Sequence, residues 1–460
     1  MPQRVSGRFE ASDGLFLDLY QLTMLRAYRA QGMEGEAAFS LFVRAFPEER
    51  NFLIACGLDE LLTEIERFRF SEDDIAFLGE LGLFPEDFLD GLRGFRFTGD
   101  IYALPEGTPF FPNEPILEVI APIGQGQVLE TLILNHIGLQ TLLASKAHRV
   151  VTAAAGRRVM DFGARRAQGG DAAIRGARAL AIAGVEGTSL LAAAALYGLP
   201  AAGTMAHSFV EAFASEAEAF EAFARVYPQT VLLVDTYDTL QGVRDAIALA
   251  RRLGSDCRLT GVRLDSGDLA ALSRATRALL DEAGLQHLRI VASGGLNETK
   301  VDALVRAGAP IDIFGVGTDM SVSADAPALD IAYKLTEYAG AGRMKLSQTK
   351  ATLPGRKQVF RREEGGVAAG DVLARFDEPC EGRPLLVPVM RGGRRLAPPV
   401  ADLGVLRAQA AQAIATLPAE ARALAPAPRP YPVSVSPRLQ AEAEALRERL
   451  LRQAKDAGAP

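Results

Sequence analysis

Between Arg157 and Thr318 one unit recurs: a short β-branched or apolar run, a polar or glycine-bearing turn, then an amphipathic segment rich in Ala, Leu and Arg. Consecutive βα units read this way, because a strand covered on both faces is apolar throughout while its covering helix carries a 3.6-residue stripe. The runs predicted as strands are 157–162, 181–185, 200–204, 230–235, 258–264, 288–292 and 311–316. Helices predicted at 239–253, 268–283 and 297–307 open on Thr, Asp or Asn and stop at Gly254, Gly284 and Gly308, as capping requires. Seven such units nearly close a barrel. An open, doubly wound sheet carries the same periodicity, so both α/β architectures stand.

The flanks differ in texture. The first 135 residues are richer in aromatic and acidic residues, and 96–120 reads as short strands broken by Gly and Pro, which predicts an α+β domain over 1–135. The βα region with the active site is then expected over 136–340. A β-rich segment over 341–423 is expected to pack on the N-terminal domain, followed over 424–460 by a Pro-rich surface linker and a charged amphipathic helix at 438–455.

With 48% hydrophobic and 23% charged residues, the 460-residue chain can bury a full core. A net charge of -7 gives no basic field for a nucleic-acid backbone, so no nucleic-acid partner is expected. Cys56, Cys257 and Cys380 are far apart, form no CxxC pair and fit a reduced cytosol. The stretch MPQRVSGRFEASDG has no apolar h-region, and no run of about 18 apolar residues occurs, so neither export nor membrane insertion is expected.

In a βα barrel the carboxyl ends of the strands face one mouth where chemistry is done. The polar residues predicted there are Arg165 and Arg166 after Phe162, Gly187 with Thr188 and Ser189, Thr204 with His207 and Ser208, and Asp235 with Asp238. Arg263, Asp265 and Asp268 follow, then Ser293, Gly294 and Gly295, and finally Gly315, Gly317 and Thr318. The last two turns let backbone N–H groups approach an anion, which makes a phosphate corner, although either turn alone also serves ordinary helix–strand geometry. In RLDSGD a carboxylate can orient ribose hydroxyls or hold magnesium on a pyrophosphate, and the arginine can fork onto a carboxylate or phosphate; the plain alternative is a structural Arg–Asp pair with Asp268 as a helix cap. His207, after a strand end, is a catalytic candidate and equally a structural histidine. Walker A, GxSxG, HExxH and strand-following GxGxxG motifs are absent.

Taken in order, DLYQLTM (18–24), DFGARRAQ (161–168), GTS (187–189), GTMAHSFV (203–210), DTYDT (235–239), GVRLDSGDL (261–269), ASGGLNE (292–298), FGVGT (314–318) and KLSQTKATLPGRKQVFR (345–361) closely resemble the nicotinate phosphoribosyltransferase family over about residues 15–390. The resemblance implies the type II phosphoribosyltransferase fold, an irregular βα barrel with a smaller β-containing α+β domain, working as a homodimer with shared active sites. It implies nicotinate, phosphoribosyl pyrophosphate and ATP as substrates, with Mg2+, in an ATP-coupled, ligase-class reaction. Carried over by position, Tyr20 and Phe162 would sandwich the pyridine ring, Tyr20 from the neighbouring subunit. Thr204 and Arg263 would hold the nicotinate side, Arg165 would serve the base or phosphate region, and Asp265 would steady the ribose. Ser293, Gly294, Gly295, Gly315, Gly317 and Thr318 would cradle the 5-phosphate, and His207 would be phosphorylated by ATP.

Ser189 stands where nicotinamide-using relatives place an aspartate that accepts the amide N–H, which favours the acid as substrate. A sugar-phosphate isomerase or aldolase would share the glycine corner but would show a strand-end lysine or an acid–base pair, and neither stands out. A catalytically dead binding protein would have no need to retain His207, Arg263 and Asp265 together.

Overall fold

Seven of the eight positions of the strand Glu36–Val43 are buried, and a strand apolar on both sides must lie inside a covered sheet. The structure, a computed structural model, describes residues 14–346, 352–399 and 402–457. The start of the chain through residue 13 and residues 347–351 of the KLSQTKATLPGRKQVFR motif lie outside the described residues. The chain divides into two units, one of Met1–Thr141, Ala328–Val400 and Ala408–Pro460, the other of Leu142–Pro327 with Ala401–Arg407.

In the first unit Glu36–Val43 pairs antiparallel with Ile331–Tyr338 on one side and Pro115–Pro122 on the other. Asp100–Ala103 and Val387–Arg391 extend the same seven-stranded sheet. Residues 328–340 therefore belong with this sheet and not with the βα region, because Ile331–Tyr338 finds its hydrogen-bonding partner there. The aromatic texture of the N-terminal segment is core: Phe68, Phe70 and Phe95 meet edge to face with centroids 5.7–5.8 Å apart.

The segment expected as a Pro-rich surface linker is structured instead. Val433–Val435 pairs in parallel with Val367–Arg375, and Tyr431 stacks on Phe111 at 3.8 Å. The closing helix Pro437–Ala457 is docked by Leu439 and Leu446, both buried. Beneath Tyr431, the buried Arg361 forks onto Asp371 at 2.6–3.2 Å, and the Tyr431 hydroxyl donates to Asp371 at 3.0 Å. Glu114 is fully buried; desolvation first, then the facing Asp371 carboxylate, holds it well above the usual range, so it keeps a proton that it shares with Asp371. A carboxyl with a raised folded-state pKa contributes its full stability below its unfolded value of 4.5 and loses it as pH rises through the folded value. Glu114→Gln mimics the protonated acid, so it should match wild type in acid and be the more stable of the two at neutral pH. Urea unfolding across that range checks this, and a difference independent of pH would contradict it.

The second unit carries an all-parallel six-stranded sheet in the order Gly187–Thr188, Arg158–Asp161, Ile313–Val316, Arg289–Ala292, Gly261–Leu264, Val231–Leu233. Its two edge strands do not pair with each other, so the sheet is a half-barrel. Two predicted strands are corrected. Residues 181–182 finish the helix Gly170–Ile182, since the alanine-rich stripe continues through them, and the strand starts only at Gly187 after Gly184 turns at φ 113°. Residues 200–204 shrink to a single bridge from Ala201 to Thr188, Pro200 having no N–H to give a ladder.

The helices follow their capping signals. Thr239–Leu253, Leu269–Glu282 and Glu298–Arg306 are capped by the side chains of Asp238, Asp268 and Asn297, so Asp238 rather than Thr239 opens the first. The described residues contain no helix long and apolar enough to cross a membrane.

Candidate active site

Asp161 ends its strand buried and accepts from the Gly163 N–H and the Thr188 hydroxyl, each at 2.8 Å, and from the Ser321 hydroxyl at 3.3 Å. Burial pushes its carboxyl up, while these three donors favour the charged form. The result is a fixed turn carrying Phe162, whose N–H donates to Val316 O at 2.8 Å. A Cβ on Gly315 would stand 2.4 Å from the Phe162 ring, and one on Gly163 would stand 1.7 Å from Ser321 Oγ. Phe162, Gly315 and Gly317 are thus brought together because those positions lack side chains. Arg165 follows on a single 3-10 turn, exposed, with Nη1 donating to Phe162 O at 3.2 Å.

Arg263 lies within the strand Gly261–Leu264 and reaches the loop before His207: Nη1 donates to Thr204 Oγ1 at 3.2 Å and Nη2 to Met205 O at 3.0 Å. Burial and, to a lesser degree, the nearby Arg165 charge pull its pKa down, against Asp265 and Asp235. Its Nε is buried without a hydrogen-bond partner among the described residues. Two cations near one another, one of them half-buried with an unpartnered donor, favour an anionic ligand.

Beside them Asp235 Oδ2 accepts from the Asp265 N–H at 2.9 Å and the Ser266 hydroxyl at 2.7 Å, and the Ser293 hydroxyl donates to Asp265. Gly294, at φ 88°, would put a Cβ 1.7 Å from Asp265 O, so no other residue fits this approach. Gly294, Gly295 and Thr318 are exposed. The described residues form no cage of three acids, histidines or cysteines for a metal. Asp235 and Asp265 nonetheless offer the hard oxygens that magnesium takes, Asp235 Oδ1 being buried and unpartnered among the described residues.

His207 opens the short helix His207–Glu211, half-buried, with Nδ1 3.2 Å from Thr236 Oγ1. The backbone of Thr236 bonds in turn to Glu216, a carboxyl pushed up to about 7 by burial and, less strongly, by Asp245, Asp235 and Asp238. Asp238 and Asp268 serve as caps, the plain reading of both. The strand-end residues Gly187 and Thr188 are the strand itself, and Thr188 serves Asp161.

Tyr20 belongs to the first unit, on the helix Leu19–Ala30, and is 45% exposed. Partial burial of the hydroxyl, then its hydrogen bond to Glu130, holds its pKa above the ordinary tyrosine range. Leu22 and Leu25 are buried in their own unit's core, with Leu17 packed against it. Only Leu19 and Tyr20 among the apolar residues of that turn remain exposed.

Sequence reasoning passed over Asp161 and Glu216. Asp161 had a signal, being the one acid ending an apolar run before a glycine turn; Glu216 looked like any first-turn acid of a helix.

A parallel half-barrel bearing two glycine turns and a half-buried arginine toward its carboxyl end, joined to a separate sheet unit, is the architecture of the type II phosphoribosyltransferase class. The profile of the nicotinate phosphoribosyltransferase N-terminal domain matches residues 15–138, and that of the nicotinate phosphoribosyltransferase family matches residues 157–352. A nicotinate phosphoribosyltransferase of Mycobacterium tuberculosis is 55% identical over 88% of this chain and 88% of its own length. That of Bacillus subtilis is 41% identical over 79% of this chain and 76% of its own. The crystal structure of human nicotinic acid phosphoribosyltransferase superposes with a TM-score of 0.82 at 29% identity, covering 93% of this chain and 99% of that one. The chain belongs to the nicotinate phosphoribosyltransferase family.

Proposed function

We propose that the chain transfers the phosphoribosyl group of phosphoribosyl pyrophosphate to nicotinate, giving nicotinate mononucleotide and pyrophosphate and feeding NAD biosynthesis in the cytoplasm. The observation that carries this reading is Arg263, half-buried beside Thr204 and Arg165 with an unpartnered Nε, at the same sheet end as the Ser293–Gly295 and Gly315–Thr318 turns. One end suits a carboxylate on an apolar ring stacked on Phe162, the other a phosphate.

In the transfer the bond from ribose C1 to the pyrophosphate oxygen breaks with its electron pair leaving on pyrophosphate, and the pyridine nitrogen lone pair forms the new bond to C1. Asp265, held by Ser293, would orient the ribose hydroxyls, and Arg263 with Thr204 would fix the ring so that its nitrogen faces C1. Magnesium would be held by the pyrophosphate with Asp235 and Asp265, neutralising the leaving charge. No protein nucleophile is required.

ATP coupling is assigned to His207. With Nδ1 set against Thr236, Nε2 is the nitrogen left to accept a phosphoryl group from ATP. Tyr20, exposed on its own unit, would cover the pyridine ring in a second copy of the chain; full activity of a monomer in sedimentation under assay conditions would remove that role.

Incubation of the purified chain with nicotinate, phosphoribosyl pyrophosphate and Mg2+, with and without ATP, tests the reading by mass analysis of the product. Nicotinate mononucleotide and pyrophosphate in equal amounts are expected, faster with ATP. Absence of the nucleotide under both conditions would overturn it.

A further inference from the structure

Lys146 comes from the middle of the 24-residue helix Glu130–Ala153 and is 1% exposed. Its Nζ lies 2.6 Å from Glu298, 2.7 Å from Asp319 and 2.8 Å from Asp325, and Arg149, one position short of a further turn along, reaches Glu298 at 3.0 Å. Burial works against the ammonium charge, and the three carboxylates outweigh it, so Lys146 stays protonated.

The placement of two of those acids gives the cluster a meaning beyond stability. Glu298 is the first residue of the helix that follows the Ser293–Gly294–Gly295 turn, and Asp319 immediately follows Thr318. Asn297, which caps that helix, also lies 3.5 Å from Asp319. One buried cation therefore grips an acid within three residues of the end of each glycine turn. Lys146 is the cation that Glu298, Asp319 and Asp325 share, and without it Glu298 would keep Arg149 while Asp319 and Asp325 would each lose an ion pair beside the turns. A buried ion cluster of this kind is a poor source of net stability, since desolvation offsets most of its Coulomb gain, so its use is better sought in what it fixes in place.

We propose that Lys146 is a positioning residue for the phosphate end of the site, holding the two glycine turns in mutual register and masking the carboxylates that would repel the 5-phosphate. This rests on the reading of those turns as the phosphate corner.

Steady-state kinetics of three variants test it. Lys146→Met should raise the KM for phosphoribosyl pyrophosphate about tenfold or more, with the KM for nicotinate held within about twofold, and Lys146→Arg should recover part of the loss. Asp325→Asn, which removes one negative charge at a partly exposed position of the cluster, should move the same KM the other way, downward by about twofold at low salt. Should Lys146→Met fail to fold, the double variant Lys146→Met/Asp325→Asn carries less residual charge and should show the same selective rise. Thr318→Val separates the two levels: no change in the phosphoribosyl KM there overturns the phosphate corner itself. A rise in Thr318→Val with both KM values unchanged in a folded Lys146→Met of lowered Tm overturns only the role of Lys146, leaving it a structural ion pair.

Discussion

Arg263→Lys is expected to raise the KM for nicotinate by about thirtyfold to a hundredfold, the loss of one or two charge-assisted hydrogen bonds, while the KM for phosphoribosyl pyrophosphate changes little. The reason is geometric. The guanidinium gives one N–H of Nη1 to Thr204 and one of Nη2 to Met205 O, which locks its plane and, on the proposed reading, leaves the second N–H of each nitrogen to fork onto the ligand carboxylate. An ammonium cannot hold both loop contacts and present a directed donor as well, and it would bring a strongly hydrated charge into a desolvated position beside Arg165. Separate Michaelis constants check the contrast. A loss confined to phosphoribosyl pyrophosphate would move Arg263 to the phosphate side.

The second large effect is at His207. His207→Ala should abolish ATP hydrolysis and its stimulation of synthesis, by more than about a thousandfold in the hydrolysis rate, while a slow ATP-independent transfer persists. In the proposed mechanism the histidine accepts a phosphoryl group and does not attack ribose, so the two activities should separate. Labelling with γ-labelled ATP should give an acid-labile bond in wild type and none in the variant. Equal labelling of the variant would assign the phosphoryl acceptor elsewhere.

The parts of the fold legible in the sequence are those written in local chemistry. Asp268 and Asn297 before their helices, and Gly254, Gly284 and Gly308 after three of them, mark boundaries that the structure keeps within a residue or two. The strand at Gly187–Thr188 was illegible because it has only two residues, and a single β-branched threonine after a glycine is too short a signal to mark a strand. The order of the strands, which sets the last glycine turn beside Phe162, is a long-range fact: Ile313–Val316 inserts between Arg158–Asp161 and Arg289–Ala292. No local pattern states it.

Among the site residues, the glycines were legible through their spacing, and the structure adds why two of them cannot be replaced, Gly294 by Asp265 O and Gly315 by the Phe162 ring. Lys146 was not legible at all. In the sequence it is one basic residue in an apolar helix, and its three acids come from positions 152 to 179 residues further on.

The central claim is that the carboxylate of a pyridine acid is what this site reads, and the ratio of kcat/KM for nicotinate to that for nicotinamide measures it most directly. With Arg263 half-buried and Ser189, as the family resemblance implies, where amide-using relatives place an aspartate, the acid should be preferred by about a thousandfold or more. Nicotinamide used within about tenfold of nicotinate would contradict the assignment of Arg263 and Thr204 as the carboxylate end of the site.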